Sequence, residues 1–504
     1  MQGYFTFLVA LWAPIMVMCS DIDACPMYGC RPSGTFSMTC DVPRDNVTVG
    51  WVADFFIGPV PDFGGCAADD AVLVCQSNGP GPADVGYMVL DKTSGALLWR
   101  DPILKFPTLP LIGIGGGFWG TDGGNLVLYD QNGKLLLPQI QLDPNMRPLF
   151  GAQYVDAGDG LILLVSEGGQ IATWLTDGTP HASLYLKGTV ERSNGTFLPV
   201  APAVTNGNRV YILTEFKPDD SRDEANLGLQ RLYAIDMLLS MDDRTHIAWS
   251  ATFEKERVSA RGASKLRFRP KMTAQRLYRK LHDPAVLKPS ILWDAAISTV
   301  YVSLPPPMLP GVMGNGIDML YAIKDTGNDT ELVFKTAHTA TNMVLFDTSG
   351  PVGNAADQLW ISLSDGKLLA IEKSGVVGKV IDLSSLVKAN LTITSKITTT
   401  RKRSADEDFL LFGIRVEEPT EAFKRIVSGF GVDTTTETPK NYVVGIDTPE
   451  NNEQGMPLSW MVPSPEDAVV FGQIIGIQGN EHMETLLIAY AQEEGNFAKV
   501  FSLS

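Results

Sequence analysis

"GYMVLDKTSGALLWRD", Gly86 to Asp101, reads as an apolar run, a cluster of turn formers from Asp91 to Gly95, and a second apolar run ending in Trp99. A turn glycine supplies positive φ at little steric cost, so this is the signature of a β-hairpin. Whether it stands alone or belongs to a series decides the architecture. It recurs as "NLVLYDQNGKLLL" from Asn125, "QIATWLTDGTPHASLYL" from Gln170, "RLYAIDM" from Arg231 and "MLYAIKDTGNDTELVF" from Met319. Further copies are "QLWISLSDGKLLAIEKSGVVGKVID" from Gln358, "NYVVGIDTPENNEQGMPLSW" from Asn441 and a weaker "TLLIAYAQEEGNFAKVFSL" from Thr485.

The turn-side positions Asp91, Asp130, Asp177, Asp236, Lys324, Glu372 and Asp447 are 39, 47, 59, 88, 48 and 75 residues apart. A four-stranded propeller blade takes ~40–45 residues, so the short gaps fit one blade and the long ones contain insertions. Helical periodicity is weak except after Pro270, where Leu277, Tyr278 and Leu281 suggest a short amphipathic helix. The expectation is an all-β propeller of four-stranded antiparallel blades, eight in number, with seven as the alternative count.

A strand "LYALD", a turn "TG" and a strand ending in Trp make up the repeat of the PQQ-like (quinoprotein alcohol dehydrogenase-like) β-propellers. From about Asp69 onward the chain resembles that family. Asp91, Gly95 and Trp99 match the repeat's tail, with Val89 where the family usually has Ala. Ala234, Asp236 and Trp249 look like a second copy and Gly445, Asp447 and Trp460 a third, each with a longer turn; Phe334 stands in for the Trp of a fourth. The resemblance implies that Trp99, Trp249, Phe334 and Trp460 pack between adjacent blades rather than stack on a ligand. It leaves function open, because such propellers serve as quinone dehydrogenases, assembly scaffolds, and sensor or adhesion ectodomains.

Composition narrows the partners. A net charge of −17 over 504 residues repels phosphate backbones, which argues against nucleic acid. The apolar run from Tyr4 to Met18, followed by Ser20 and Asp21, reads as a signal peptide over residues 1–20, although no Lys or Arg precedes it. Cleavage after Cys19 or after Ser20 would both fit. No later segment is long enough and free of Pro, Gly and charge to cross a bilayer. All six cysteines lie at the front, and after export Cys25, Cys30, Cys40, Cys66 and Cys75 read as disulfide candidates, their pairing left open. Zinc is the rival reading, without a CxxC pair to support it. Sequons at Asn46, Asn194, Asn328 and Asn390 are glycosylation candidates. The expected organisation is therefore a leader (1–20), a cysteine-rich segment (21–68) and a propeller (69–504) interrupted at 253–283.

Chemistry is hard to find. A PQQ enzyme of the resembled family needs calcium held by carboxylate and amide oxygens, a carboxylate base and flat partners for the quinone, and many carry adjacent cysteines; none are adjacent here. "DAGDG" from Asp156 and "YDQNG" from Tyr129 are oxygen-rich, but the first lacks a full calcium loop and the second is an Asn-Gly turn. His181, His246, His282, His338 and His482 are scattered, and "GIGGGFWG" from Gly113 lacks the Lys and Ser/Thr of a phosphate loop. No catalytic, cofactor-binding or metal-ligating residue is assigned.

The insertion 253–283 is the compositional anomaly, with ten Lys or Arg. Arg261, Lys265, Arg267, Arg269 and Lys271 would form a docking arm for an anionic partner, or else a solvated loop. "RKRSADED" at Arg401 is a weak processing motif. The reading is a secreted or luminal scaffold that binds protein or glycan without a cofactor; the alternative is a secreted oxidoreductase using PQQ and calcium. Finally, "VTVGWVADFFIG", Val47 to Gly58, is strand-like and is expected to pair with the C-terminal strands from Thr485 to Leu503, which would remove an exposed edge.

Overall fold

A computed structural model describes residues 25–504 except 39–41, 44, 56–64, 70–71, 79–84, 102–103, 105–106, 114–116, 145, 156–159, 221–226, 238–244, 254–287, 306–318, 339, 346–357, 402–407, 436, 449–457, 479–484 and 493–497. The stretch Gly86 to Asp101 is a hairpin. Val85–Leu90 pairs antiparallel with Leu97–Asp101, Val89 opposite Trp99, with a bulge between Val89 and Leu90. The Asp91 carboxylate accepts from the amides of Thr93 and Ser94 and from the Ser94 hydroxyl, and Gly95 takes φ 69°. The turn is thus closed by side-chain oxygen and a residue without Cβ.

This hairpin is the outer half of one blade. The described residues form eight sheets, each with four antiparallel strands as its blade. Blade 1 runs Cys66–Ala68, Leu73–Asn78, Val85–Leu90, Leu97–Asp101. Blade 2 is Leu111–Ile112, Phe118–Asp122, Asn125–Tyr129, Ile140–Gln141, and blade 3 is Gln153–Val155, Leu161–Val165, Gln170–Trp174, Pro180–Tyr185. Blade 4 is Val204–Asn206, Arg209–Pro218, Gln230–Asp236, His246–Thr252, and blade 5 is Ser290–Asp294, Thr299–Leu304, Met319–Asp325, Thr330–Thr336. Blade 6 is Asn342–Leu345, Leu359–Ser362, Lys367–Ile371, Val377–Asp382, and blade 7 is Thr398–Arg401, Asp408–Val416, Asn441–Thr448, Leu458–Pro463.

Blade 8 is assembled from both ends of the chain. Val469–Gln478, Thr485–Gln492 and Ala498–Leu503 receive Val49–Phe55 as their fourth strand, antiparallel to Ala498–Leu503. The expected pairing of first and last segments is what closes the ring. The sequence reading starts the propeller at Asp69; the sheets also take in residues 37–38, 49–55 and 66–68.

The core lies in the seams. Along Leu161–Val165, Leu161, Leu163 and Val165 pack toward blade 4, while Ile162 and Leu164 pack toward blade 2. Period-2 alternation thus sends every side chain of this strand into one seam or the other, which is why it reads as a continuous apolar run. Each such side chain contributes about 1.5–3 kcal/mol by burial. Other apolar clusters join blades 1 and 2, 4 and 5, 5 and 6, and 6 and 7 in the same way. The cluster of blades 7, 8 and 1 also takes in Cys25, Cys30 and Met38.

The long gaps have structural content. The 59-residue gap holds a hairpin, Lys187–Val190 with Ser193–Pro199, added to the sheet of blade 4. The 75-residue gap holds two helices that the sequence reading did not expect, α1 (Leu383–Val387) and α2 (Glu421–Gly429). Helix α2 starts at the Thr420 cap and buries only Phe423 and Val427, one turn apart, with Phe423 edge-on to Tyr442. The helix expected near Leu277 lies outside the described residues.

Candidate functional site

The residues singled out by the repeat form a girdle between blades. Trp99, Trp249, Phe334 and Trp460 each lie on the fourth strand of a blade, directly across from a small or β-branched residue of the third: Val89, Ala234, Ala322 and Gly445. From there the ring reaches a neighbour. Trp99 packs on Tyr129 of blade 2, and a Cβ on Gly133 (φ 78°) would fall inside its indole. Phe334 occupies the matching place over Gly375 of blade 6. Trp460 donates its indole N–H to the Pro43 carbonyl, 2.9 Å away. Trp51 plays the same part from the closing strand: it covers Gly95 in the blade 1 turn and donates to the Lys92 carbonyl at 3.1 Å. The sequence reading found its strand but not its role.

At the seam of blades 4 and 5 the lock is polar. Arg209 spans two carboxylates, with Nε 2.6 Å and Nη2 2.8 Å from Asp236 and Nη1 2.8 Å from an oxygen of Asp325. Asp325 also accepts from the Tyr211 hydroxyl (2.6 Å), the Trp249 indole (3.1 Å) and the Gly327 amide (2.7 Å). Burial alone would raise the Asp325 carboxyl, but the Arg209 guanidinium and these donors outweigh it and hold the pKa below the ordinary value. Tyr211 is pushed up by burial and by its bond to Asp325. Asp325 of blade 5 takes donors from Arg209, Tyr211 and Trp249 of blade 4, while Asp236 holds Arg209 from within its own blade, so the cluster acts as a joint across the seam.

The remaining concavity of a propeller is its axis, where the first strands of the blades converge. Here residues 25–38 occupy it. Their path is set by local turns: Cys30 N–H donates to the Met27 carbonyl (3.0 Å), Gly34 to Arg31 (2.9 Å) and Phe36 to Gly29 (2.8 Å). Cys25–Cys30 closes the first of these covalently. Gly29 and Gly34 have positive φ, and a Cβ on Gly34 would lie 2.6 Å from Val204 of blade 4.

This plug is bonded to seven of the eight blades. Six amides from first strands, those of Ala68, Ile112, Thr205, Trp293, Leu345 and Thr399, donate to the carbonyls of Cys25, Pro26, Pro32, Ser33, Thr35 and Phe36, at 2.7–3.2 Å. They belong to blades 1, 2, 4, 5, 6 and 7. Ser37–Met38 then runs parallel to Thr398–Arg401 of blade 7. Blade 8 supplies the buried Gln473, whose Oε1 accepts from Gly29 N–H (2.9 Å) and whose Nε2 donates to the Met27 carbonyl (3.1 Å). The cysteine-rich segment 21–68 is expected ahead of the propeller, whereas residues 25–38 lie within its ring.

The other expected sites are quickly placed. Cys66–Cys75 is a second disulfide, across the first two strands of blade 1; Cys40 lies outside the described residues. Asn46, Asn194, Asn328 and Asn390 are all exposed. The docking candidates Arg261, Lys265, Arg267, Arg269 and Lys271, the leader, and most of the "DAGDG" and "RKRSADED" stretches lie outside the described residues. Among the described residues no three His, Cys, Asp or Glu side chains gather as a metal site would require, and no helix is long and apolar enough to cross a membrane.

No protein-family model matches the chain, and no curated protein does. Solved structures similar in fold include BamB from Moraxella catarrhalis (13% identity, 72% of this chain and 94% of that one, TM-score 0.39). The dihydro-haem d1 dehydrogenase NirN is similar over 92% of this chain and 80% of its own at 9% identity, TM-score 0.45. The C-terminal WD40 domain of Sif2 is similar over 91% and 98% at 11% identity, TM-score 0.43.

Proposed function

We propose that the protein is a secreted or luminal binding scaffold that engages a protein or glycan partner through the faces and edges of the propeller. The observation that carries this reading is the plug: the axis, the deepest concavity such a ring provides, is filled by the chain's own backbone and held from seven blades. Two buried disulfides and four exposed sequons support export. The basic insertion 253–283 is the proposed contact for an anionic partner.

The second reading, an oxidoreductase with PQQ and calcium, has less behind it. A flat quinone would compete with Met27 to Phe36 for the axial space, and the described residues offer no gathering of carboxylates for the cation. The test is to add PQQ and calcium to the full-length protein secreted from a eukaryotic host and follow absorbance and alcohol-dependent dye reduction. No bound chromophore and no dye reduction are expected; both together would overturn the scaffold reading. For the anionic partner, retention on immobilised heparin is compared with and without residues 254–279. The deletion should lower retention and flatten its salt dependence, as screened charge contacts do. Identical elution would end that part of the proposal.

A further inference from the structure

The plug is held in an unusual way for one part of a chain against another. Its apolar side chains Cys25, Met27, Cys30, Phe36 and Met38 are buried in the core clusters of the ring, but the contact that recurs from blade to blade is a backbone hydrogen bond. Ala68, Ile112, Thr205, Trp293 and Leu345 each stand last or next to last in the first strand of a blade, and each turns its N–H inward to a plug carbonyl. Thr399 does the same from blade 7. These are the edge amides that sheet pairing within a blade leaves over. Without an acceptor in the channel they would be buried donors without partners, each costing about 1–3 kcal/mol. The ring is therefore lined with donors that want a chain of carbonyls, and Gln473 reads one N–H and one carbonyl of that chain with a single side-chain amide. Strand-edge pairing plus a reading amide is the chemistry by which extended peptides are recognised in general.

We infer that the axial channel is a peptide-binding site, occupied in cis by residues 25–38, and that it takes the same peptide in trans once the covalent link is cut. The occupant it fits is a short segment with a disulfide-closed first turn, glycines at the positions of Gly29 and Gly34, and an extended tail able to pair alongside Thr398–Arg401. Charge plays little part in the fit, since the bonds to the plug run from backbone amides and a neutral glutamine.

The test uses the full chain with a site-specific protease sequence inserted between Met38 and Cys40. After cleavage and gel filtration, the N-terminal fragment should remain with the propeller. It should then exchange for a fluorescent, disulfide-closed peptide of residues 25–38 at one per chain, and a scrambled peptide should not enter. A fragment that departs without the labelled peptide taking its place overturns the inference, as does a fragment that never exchanges. Displacement of the fragment by millimolar sulfate or phosphate would mean that the donor ring is an anion site, which also overturns it. A second measurement covers the case in which the cut chain unfolds. In the intact chain, Gln473→Ala should speed amide exchange at Ala68, Ile112, Thr205, Trp293, Leu345 and Thr399 together, by about tenfold, while amides inside the blades stay protected. No change, or a change at one amide only, would show that the plug does not bind as a unit and would end the proposal.

Discussion

The girdle and the plug hold the same ring by opposite means. The girdle acts at the outer ends of the seams through large rings, Trp51, Trp99, Phe334 and Trp460, set against glycines, backbone or rings of a neighbour. The plug acts at the inner ends through backbone hydrogen bonds, each worth little net but costly to leave unmade. The girdle repeats with the blades; the plug is a single segment of non-repeating sequence bonded to seven of them. Strength against heat and denaturant should therefore come from the girdle, and order at the axis from the plug.

The sharpest way to break this comparison is Trp460→Ala. Trp460 is buried and bonded to Pro43, so its removal should cost about 4 kcal/mol, read from urea unfolding. A loss below about 1 kcal/mol would mean that the seams do not depend on their aromatics. Next in size is Gly133→Val, which places a branched side chain at φ 78° and inside the Trp99 indole. It should cost about 3 kcal/mol, whereas Gly124→Ala, with no atom within 4 Å, should be nearly silent in the same titration.

On the plug side, replacing Cys25 and Cys30 together by Ser opens a loop with a sequence separation of 5, worth about 2 kcal/mol in the chain-entropy account. The effect should be concentrated in amide exchange at the axis, while near-ultraviolet signals from the girdle tryptophans change little. If they change together, plug and girdle are one cooperative unit. The smallest effect concerns the polar joint. Asp325 has a folded pKa below its unfolded one, so its share of stability is full above the ordinary Asp value near 4 and is lost as pH falls through the lowered folded value. Between those limits the wild type should lose stability more steeply than Asp325→Asn, measured as urea midpoints at stepped pH.

What could be read in advance follows the same division. Asp91, Gly95 and Trp99 carry hairpin and girdle within nine residues, so a local pattern repeated along the chain was enough to give blade number and order. Trp51 escaped because its strand stands outside the repeat: the turn it covers follows it at Lys92 to Gly95, and the strand it pairs with is at the far end of the chain. Helix α2 carries a cap at Thr420 and an i, i+4 pair, Phe423 and Val427, but in nine residues that signal is hard to tell from chance. In residues 25–38 the cysteines could be read as disulfide candidates, but not the place of the stretch in the axis. Its partners are mostly single backbone amides scattered from Ala68 to Thr399, with one glutamine, Gln473, and a backbone amide leaves no mark in a sequence.

The strand Val49–Phe55 has a consequence in time. It leaves the ribosome well before its partner, since Phe55 pairs with Ala498, about 440 residues later. At about 5–20 residues per second it waits roughly 20–90 s for its partner. Throughout that interval blades can form one by one behind it, but the circle stays open at both lips. Closure of the ring therefore waits for Ala498–Leu503, and the edges of blade 8 are open to wrong partners until that strand is made.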